Sequence, residues 1–236
     1  MGALIKIAGQ EIDEKGLLPL LAQYKMLPQL TKEIIIDRAI ANIECAPKEE
    51  EMIWQRFYKR NQITSEEQLK LWLEYYGMTP EQQKCCLLRE YKLEKFKQAT
   101  WGSRLESYFL QQKRQLDRVV YSLIRSKDPG IAQELYFRIQ EGETSFTELA
   151  KQYSEGAEAE TGGLVGPIEL SLVTEKLARL LSTSQPGQLH QPTRIEGWWI
   201  ILRLEKYLST QLDEAMRQRL LNDLFQEWLN AQLQQK

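Results

Sequence analysis

Acid–base or nucleophilic catalysis needs a titratable base beside its partner, and this chain offers one histidine, His190, within "QLHQPTR". A Ser-His-Asp or Cys-His centre needs that base oriented by neighbours, and no cysteine or acidic residue stands near His190 at metal-ligand spacing, so it reads as a strand histidine without a chemical role. The three cysteines are odd in number and two, Cys85 and Cys86, are adjacent in a helical pattern. They are expected to be reduced structural thiols rather than a disulfide framework. "GGLVG", starting at Gly162, lacks the lysine of a phosphate-binding loop, and the Gly162-Gly163 pair alone reads as a tight turn. Glu155, Glu158 and Glu160 read as a solvated loop rather than a catalytic pair. No cofactor or metal is implied.

Aromatic residues are the more informative group. On a strand starting at Gly197, alternation places Trp199, Ile201 and Arg203 on one face and Trp198, Ile200, Leu202 and Leu204 on the other. One face is core. Trp199 is left either lining a pocket or covering the sheet beneath a helix.

The elements that must carry these residues follow from caps and periodicity. Leu4 to Ile7, with Gly9-Gln10 and Ile12, suggests a short strand and turn. Helix signals then dominate to about Gln115: Ser65 and Gln68 read as a capping box with Gly77 at the helix end, and Thr79-Pro80 opens another helix. The pattern changes at "LDRVVYSLIRSKDPG", a β-prone run ended by Asp128-Pro129-Gly130. Helices are expected from Ile131 to about Glu141 and from Phe146 to Tyr153, then a strand through Val165, a helix over Thr174 to Leu181, and a hairpin of "QLHQPTRI" and "GWWIILRLE". The tail places Met216, Leu220, Leu224 and Trp228 on one helical face beside Leu221, Phe225 and Leu229. That stripe needs a partner, and the helical first half is the expected one.

These residues resemble the parvulin family of peptidyl-prolyl isomerases. "SFTELAKQYSEGAEAETGGLVG" is similar to the family's helix, Tyr-Ser, loop, Gly-Gly segment, and "QPGQLHQPTRIEGWWIILRLE" to its closing turn and last two strands. "KEIIIDRAI", "MTPEQQ" and "LREYKLEKF" are similar to the N-terminal helical module of SurA-type chaperones. The resemblance implies an α+β fold: a helical module at 1–116, a parvulin-like domain with a small antiparallel sheet at 117–208, and a C-terminal helix at 209–236 returning to the module. It also implies the isomerase (rotamase) class. Parvulins place a histidine on the first strand and another on the last, facing each other, with an Asp or Cys nearby. The matching positions here are Tyr121, Trp199 and, for an Asp after Gly-Gly, Leu164; the proline pocket corresponds to Val173 and Leu177, with Trp199 beside them. With the histidine pair and the Asp missing, catalysis is expected to be weak, in a foldase-like chaperone that binds extended Pro-containing segments. A non-catalytic chaperone or adaptor for one client, such as an exported one, is the other reading.

The formal net charge of −2 disfavours a nucleic-acid partner. No run approaches the roughly 18 apolar residues of a membrane span, and "MGALIKIAGQEIDEKGLL" carries neither a secretory apolar region nor, with Lys6 at position six, a myristoylation signal. A cytoplasmic protein with an unfolded or extended polypeptide as client is expected, its oligomeric state unspecified.

Overall fold

The computed structural model describes residues 5–7 and 10–235 and resolves into two compact units, one running from Glu106 to Met216 and the other formed by the residues up to Leu105 together with those from Arg217 onward. In the second of these, β1 (Ile5–Ile7) and β2 (Gln10–Ile12) pair antiparallel. Leu4 and Gly9, part of the strand and turn expected there, lie outside the described residues. Helices α1 (Glu14–Gln23), α2 (Leu27–Ile40), α3 (Pro47–Asn61), α4 (Glu66–Tyr76) and α5 (Pro80–Trp101) follow.

The caps have local causes. The Ser65 hydroxyl accepts from the Gln68 amide, but the Gln68 side chain accepts from Thr64 rather than closing a reciprocal box with Ser65. Thr79 and Gln82 do close one, with Pro80 in the first turn, where its missing N–H costs nothing. Gly77 ends α4 at φ +62°, which a side chain would strain.

The last helix, α10 (Glu214–Gln234), buries Leu220, Leu221, Phe225 and Leu229. Trp228 lies 5.2 Å from the Phe96 ring, and Phe225 lies 6.4 Å from Trp101. Lys97, 6% exposed, donates to Glu94 and Asn222 at 2.7 Å each and sits over the Phe225 ring. Rings of this size supply much of a small unit's apolar burial, and here they tie α10 to α5.

The other unit opens with α6 (Leu105–Leu116) and holds a four-stranded antiparallel sheet of β3 (Arg118–Ser126), β4 (Leu164–Glu169), β5 (Leu189–Ile195) and β6 (Trp198–Leu208), in the order β4-β3-β6-β5. Pro192 lies on edge strand β5, where a missing ladder donor is tolerated. Helices α7 (Pro129–Gln140), α8 (Phe146–Tyr153) and α9 (Glu175–Thr183) cover the sheet. Because successive strand residues point to opposite sides, two cores form. Ile124 and Ile201 pack with Leu135, Phe146 and Leu149 of α7 and α8. Val119, Tyr121, Leu123, Ile200, Leu202 and Leu204 pack with Leu177 and Leu181 of α9.

The two ends of this unit are pinned together. Arg118 pairs with Leu208, Thr210 donates its amide to Asp117 at 2.7 Å and its hydroxyl to the Leu116 carbonyl at 2.6 Å, and the Tyr207 hydroxyl donates to Asp117 at 2.8 Å. Among the described residues, no helix is long and apolar enough to cross a membrane.

Candidate functional site

The glycine pair after α8 makes a turn that only glycine fits. Gly162 and Gly163 have φ of +65° and +85°, and a Cβ on Gly163 would sit 2.9 Å from the Leu123 carbonyl and from Ala150, and 3.0 Å from Phe146. The Gly163 carbonyl accepts from the Leu123 amide at 2.8 Å, so the loop lies directly against β3.

The same loop returns a carboxylate to the end of that strand. Glu158 is 6% exposed and accepts from Arg125 Nε at 2.8 Å and Nη2 at 2.6 Å, a bidentate pair, and from the Ser154 hydroxyl at 2.6 Å. Ser154 in turn accepts from the Arg125 amide at 3.0 Å. Burial, the largest influence on Glu158, pushes its carboxyl upward, yet Arg125 and Ser154 outweigh it and hold the group below the usual carboxylate range. The pair lies where a side chain on residue 156 would go: a Cβ on Gly156 would collide with the guanidinium and the carboxylate.

On the other side of Arg125 stands an indole. The guanidinium carbon lies 6.0 Å from the Trp198 ring centroid and Lys127 Nζ lies 5.2 Å from it, so one indole meets two cations. Tyr121, two turns of alternation earlier on β3, is 5% exposed, and burial foremost pushes its phenol up. Arg125, Glu158, Ser154, Trp198 and the buried Tyr121 form a charged, aromatic corner on the α9 side of the sheet. The pair supplies fixed charge and hydrogen bonds but no free base, since both carboxylate oxygens are engaged.

The residues picked from sequence are not gathered here as expected. Tyr121 and Trp199 do lie on adjacent strands, but Tyr121 pairs with Leu204 and Trp199 with Ser126, and they project to opposite sides of the sheet. The expectation that the two rings face one another is therefore corrected: a bulge between Val120 and Tyr121 and the register of β3 on β6 separate them. Leu164 pairs with Ser122, which puts it on the α7–α8 side with Trp199 and away from Tyr121. Val173 and Leu177 pack on the Tyr121 side, Leu177 buried and Val173 half-buried. Trp198, not Trp199, shares their side.

Glu158 corrects a second reading, that of a solvated loop. Its partner lies 33 positions earlier in the chain, and the only local signal was the small residue at Gly156. His190 has a plain structural partner. The Ser184 hydroxyl donates to the Leu180 carbonyl and lies 2.6 Å from His190 Nε2, and burial holds the imidazole below its ordinary value. Among the described residues, no group of three or more His, Cys, Asp or Glu is placed to hold a metal ion.

Residues 126–206 match the rotamase family, the PPIC-type PPIase domain. The chain is 30% identical over 118 residues to the chaperone SurA of Shewanella sp. (strain MR-7), covering 46% of this chain and 27% of that protein. It is 32% identical over 109 residues to the chaperone SurA of Pseudomonas aeruginosa, covering 42% and 26%. The matches thus span about a quarter of these curated relatives. Among solved structures, the peptidylprolyl isomerase PrsA from Bacillus cereus is 18% identical, covers 96% of this chain and 84% of that chain, and has a TM-score of 0.48.

Proposed function

Residues 126–206 belong to the PPIC-type parvulin family, and from this premise we propose that the chain is a foldase-type chaperone whose parvulin domain binds extended, proline-containing polypeptide and turns the X–Pro bond slowly. The observation that carries the slow rate is the buried Arg125–Glu158 pair. Rotation about an amide faces roughly 18–20 kcal/mol and needs no covalent nucleophile. An apolar seat that favours the twisted amide lowers that barrier by differential binding, and Val173 and Trp198, half-buried on one side of the sheet, supply such a seat.

What the corner lacks is a polar group free to follow the change at the proline nitrogen. Arg125 and Glu158 are bound to each other, Tyr121 is enclosed in the core, and the positions that resemble the family's histidines carry rings on opposite sides. The family relationship and the SurA relatives support a folding role; the closed ion pair supports a low rate.

Two assays on one preparation test this: isomerisation of a Xaa-Pro peptide followed by NMR exchange, and suppression of aggregation of an unfolded client. The expected result is a rate far below that of an unmodified parvulin, with suppression retained. A full parvulin rate would refute the role given to the ion pair, and loss of both activities would leave neither isomerase nor chaperone standing. The cytoplasmic placement is a proposal of the same kind, consistent with three unpaired thiols and tested by cell fractionation.

A further inference from the structure

Large apolar side chains gather on the surface at the start of the helical unit. Leu18, Tyr24, Met26, Leu30 and Ile34 are between 41% and 64% exposed, all within α1, α2 and the turn that joins them. Met26, Leu30 and Ile34 recur every four residues and so form one stripe along α2, while Ile36 and Ile40 are buried on that helix. On α1, Lys15, Leu18 and Ala22 recur at helical spacing and are all exposed. Exposed apolar surface concentrated in this way marks an interaction site.

The charge around it selects the partner. From Lys15 to Lys32 the sequence contains no acidic residue, and its charged side chains are Lys15, Lys25 and Lys32. Lys15 and Lys25 are exposed, Lys25 in the turn between the helices at φ +58°. Of the flanking acids, Asp13 accepts from the Gly16 amide at 2.8 Å, and Glu33 and Asp37 each accept from Arg89 at 2.6 Å. Helix α4 makes the contrast. Leu71 and Tyr75 are more exposed still, but Glu66, Glu67 and Glu74 stand around them against the single Lys70, so that helix is not drawn to a negative surface.

Lysines beside exposed leucine, methionine and tyrosine suit the boundary between lipid headgroups and acyl chains. The apolar tips enter it and the ammonium groups stay with the phosphates. We propose that the exposed face of α1 and α2 docks on a bilayer surface that carries anionic lipid. The contact is peripheral, since no helix among the described residues is long and apolar enough to cross a membrane. It stands apart from the isomerase reading, because it needs no proline and lies within the helical unit.

Flotation of the full chain with vesicles of phosphatidylcholine and phosphatidylglycerol in roughly a two-to-one ratio tests this. The chain should rise with these vesicles, come off as salt is raised, and stay behind with phosphatidylcholine alone. Lys15→Gln with Lys25→Gln, and separately Leu18→Ser with Leu30→Ser, should each weaken binding about tenfold. The melting temperature should hold, because these side chains are exposed. Leu71→Ser with Tyr75→Ser should leave binding unchanged. A second measurement reads insertion directly: in a Cys45→Ser, Cys85→Ser, Cys86→Ser background, an environment-sensitive fluorophore on Leu30→Cys should brighten and shift to the blue with anionic vesicles, and one on Leu71→Cys should not.

Equal binding to neutral vesicles, unaltered binding in either the lysine or the leucine pair, or an equal response of the two fluorophores would overturn the assignment. So would a dimer in sedimentation that Leu18→Ser with Leu30→Ser dissolves, or loss of client-aggregation suppression in that variant, which would give the face to a second copy or to a client. None of these readouts uses a proline peptide, so a failure here leaves the isomerase reading standing and a failure there leaves this one.

Discussion

Arg125→Met tests the buried ion pair most directly, since Met keeps the aliphatic stem beside Trp198 and deletes only the charge. The two partners differ sharply in exposure: the Glu158 side chain is 3% exposed and that of Arg125 is 35%. Removing the arginine strands a carboxylate out of water with Ser154 as its remaining side-chain donor. Breaking a buried pair in this way costs about 3–5 kcal/mol, and about 3 kcal/mol is expected because the carboxyl escapes part of the cost by taking up a proton. Removing the acid is milder. Glu158→Gln leaves an arginine that can turn toward solvent and a neutral acceptor in place, at about 1–2 kcal/mol. Replacing both, as Arg125→Met with Glu158→Leu, should return to within about 1 kcal/mol of the parent, because no uncompensated charge remains. With two units in the chain, a single denaturation midpoint does not define one free energy. Native-state hydrogen exchange at the Leu123 amide, which is bonded to Gly163 within the sheet unit, isolates the relevant stability. An Arg125→Met cost below about 1 kcal/mol, or one smaller than that of Glu158→Gln, would refute the reasoning, since the pair would then contribute little by being buried.

Gly156→Ala drives a methyl into that pair, so it should destabilise the sheet unit by about 2 kcal/mol and cost much less in the Arg125→Met, Glu158→Leu background; equal costs in both would mean that the glycine acts through its backbone. Glu158 and His190 are both held below their ordinary values, so each contributes stability that is complete above its unfolded pKa and lost as pH falls. Exchange-derived stability of the sheet unit should therefore decline from pH 7 toward pH 3, and Glu158→Gln should flatten the lower part of that decline. At the alkaline end Tyr207, pushed up to about 12 by burial and by Asp117, contributes stability that is present below about pH 10 and lost as pH rises toward 12, and Tyr207→Phe should abolish that loss. Tyr121→His with Trp199→His should leave the proline-isomerisation rate unchanged, since the positions lie on opposite sides of the sheet; a gain in rate would show that the register allows them to meet. Phe225→Ala should destabilise the helical unit by about 3–4 kcal/mol, read as a lower melting temperature and a changed Trp101 emission.

Local chemistry made much of the fold legible. The β-prone run at Val119–Ile124, the helix over Phe146–Tyr153 and the Gly197 hairpin each depend on neighbours within a few residues and form where expected, while the helix expected from Ile131 begins at Pro129, capped by Asp128, which had read only as the end of the strand. The apolar stripe of the last helix was legible for the same reason. The site was less so, because it depends on register and on distant partners. Alternation correctly divided Trp198 from Trp199, but which side holds α9 follows from how β6 aligns with β3, and a one-residue bulge there changes what lies beside Tyr121. Glu158 stands among acidic and small residues, Glu155 to Glu160, and read as solvated. Only the fold brings Arg125 to it.

The pinned ends of the sheet unit bear on how the whole chain assembles. The strand that enters at Arg118 is paired with the one that leaves at Leu208, and Thr210 is fastened to Leu116 and Asp117. A sheet unit that folds first therefore acts as a clasp. The helical unit, whose last helix arrives from the far side of this insertion, then has only a few residues of slack to close instead of on the order of a hundred, a saving of about 2–3 kcal/mol in loop entropy. The chain thereby acquires an order of events, and the inserted unit could be exchanged for a short turn, or for a different domain with adjacent ends, without asking α10 to search any farther for α5.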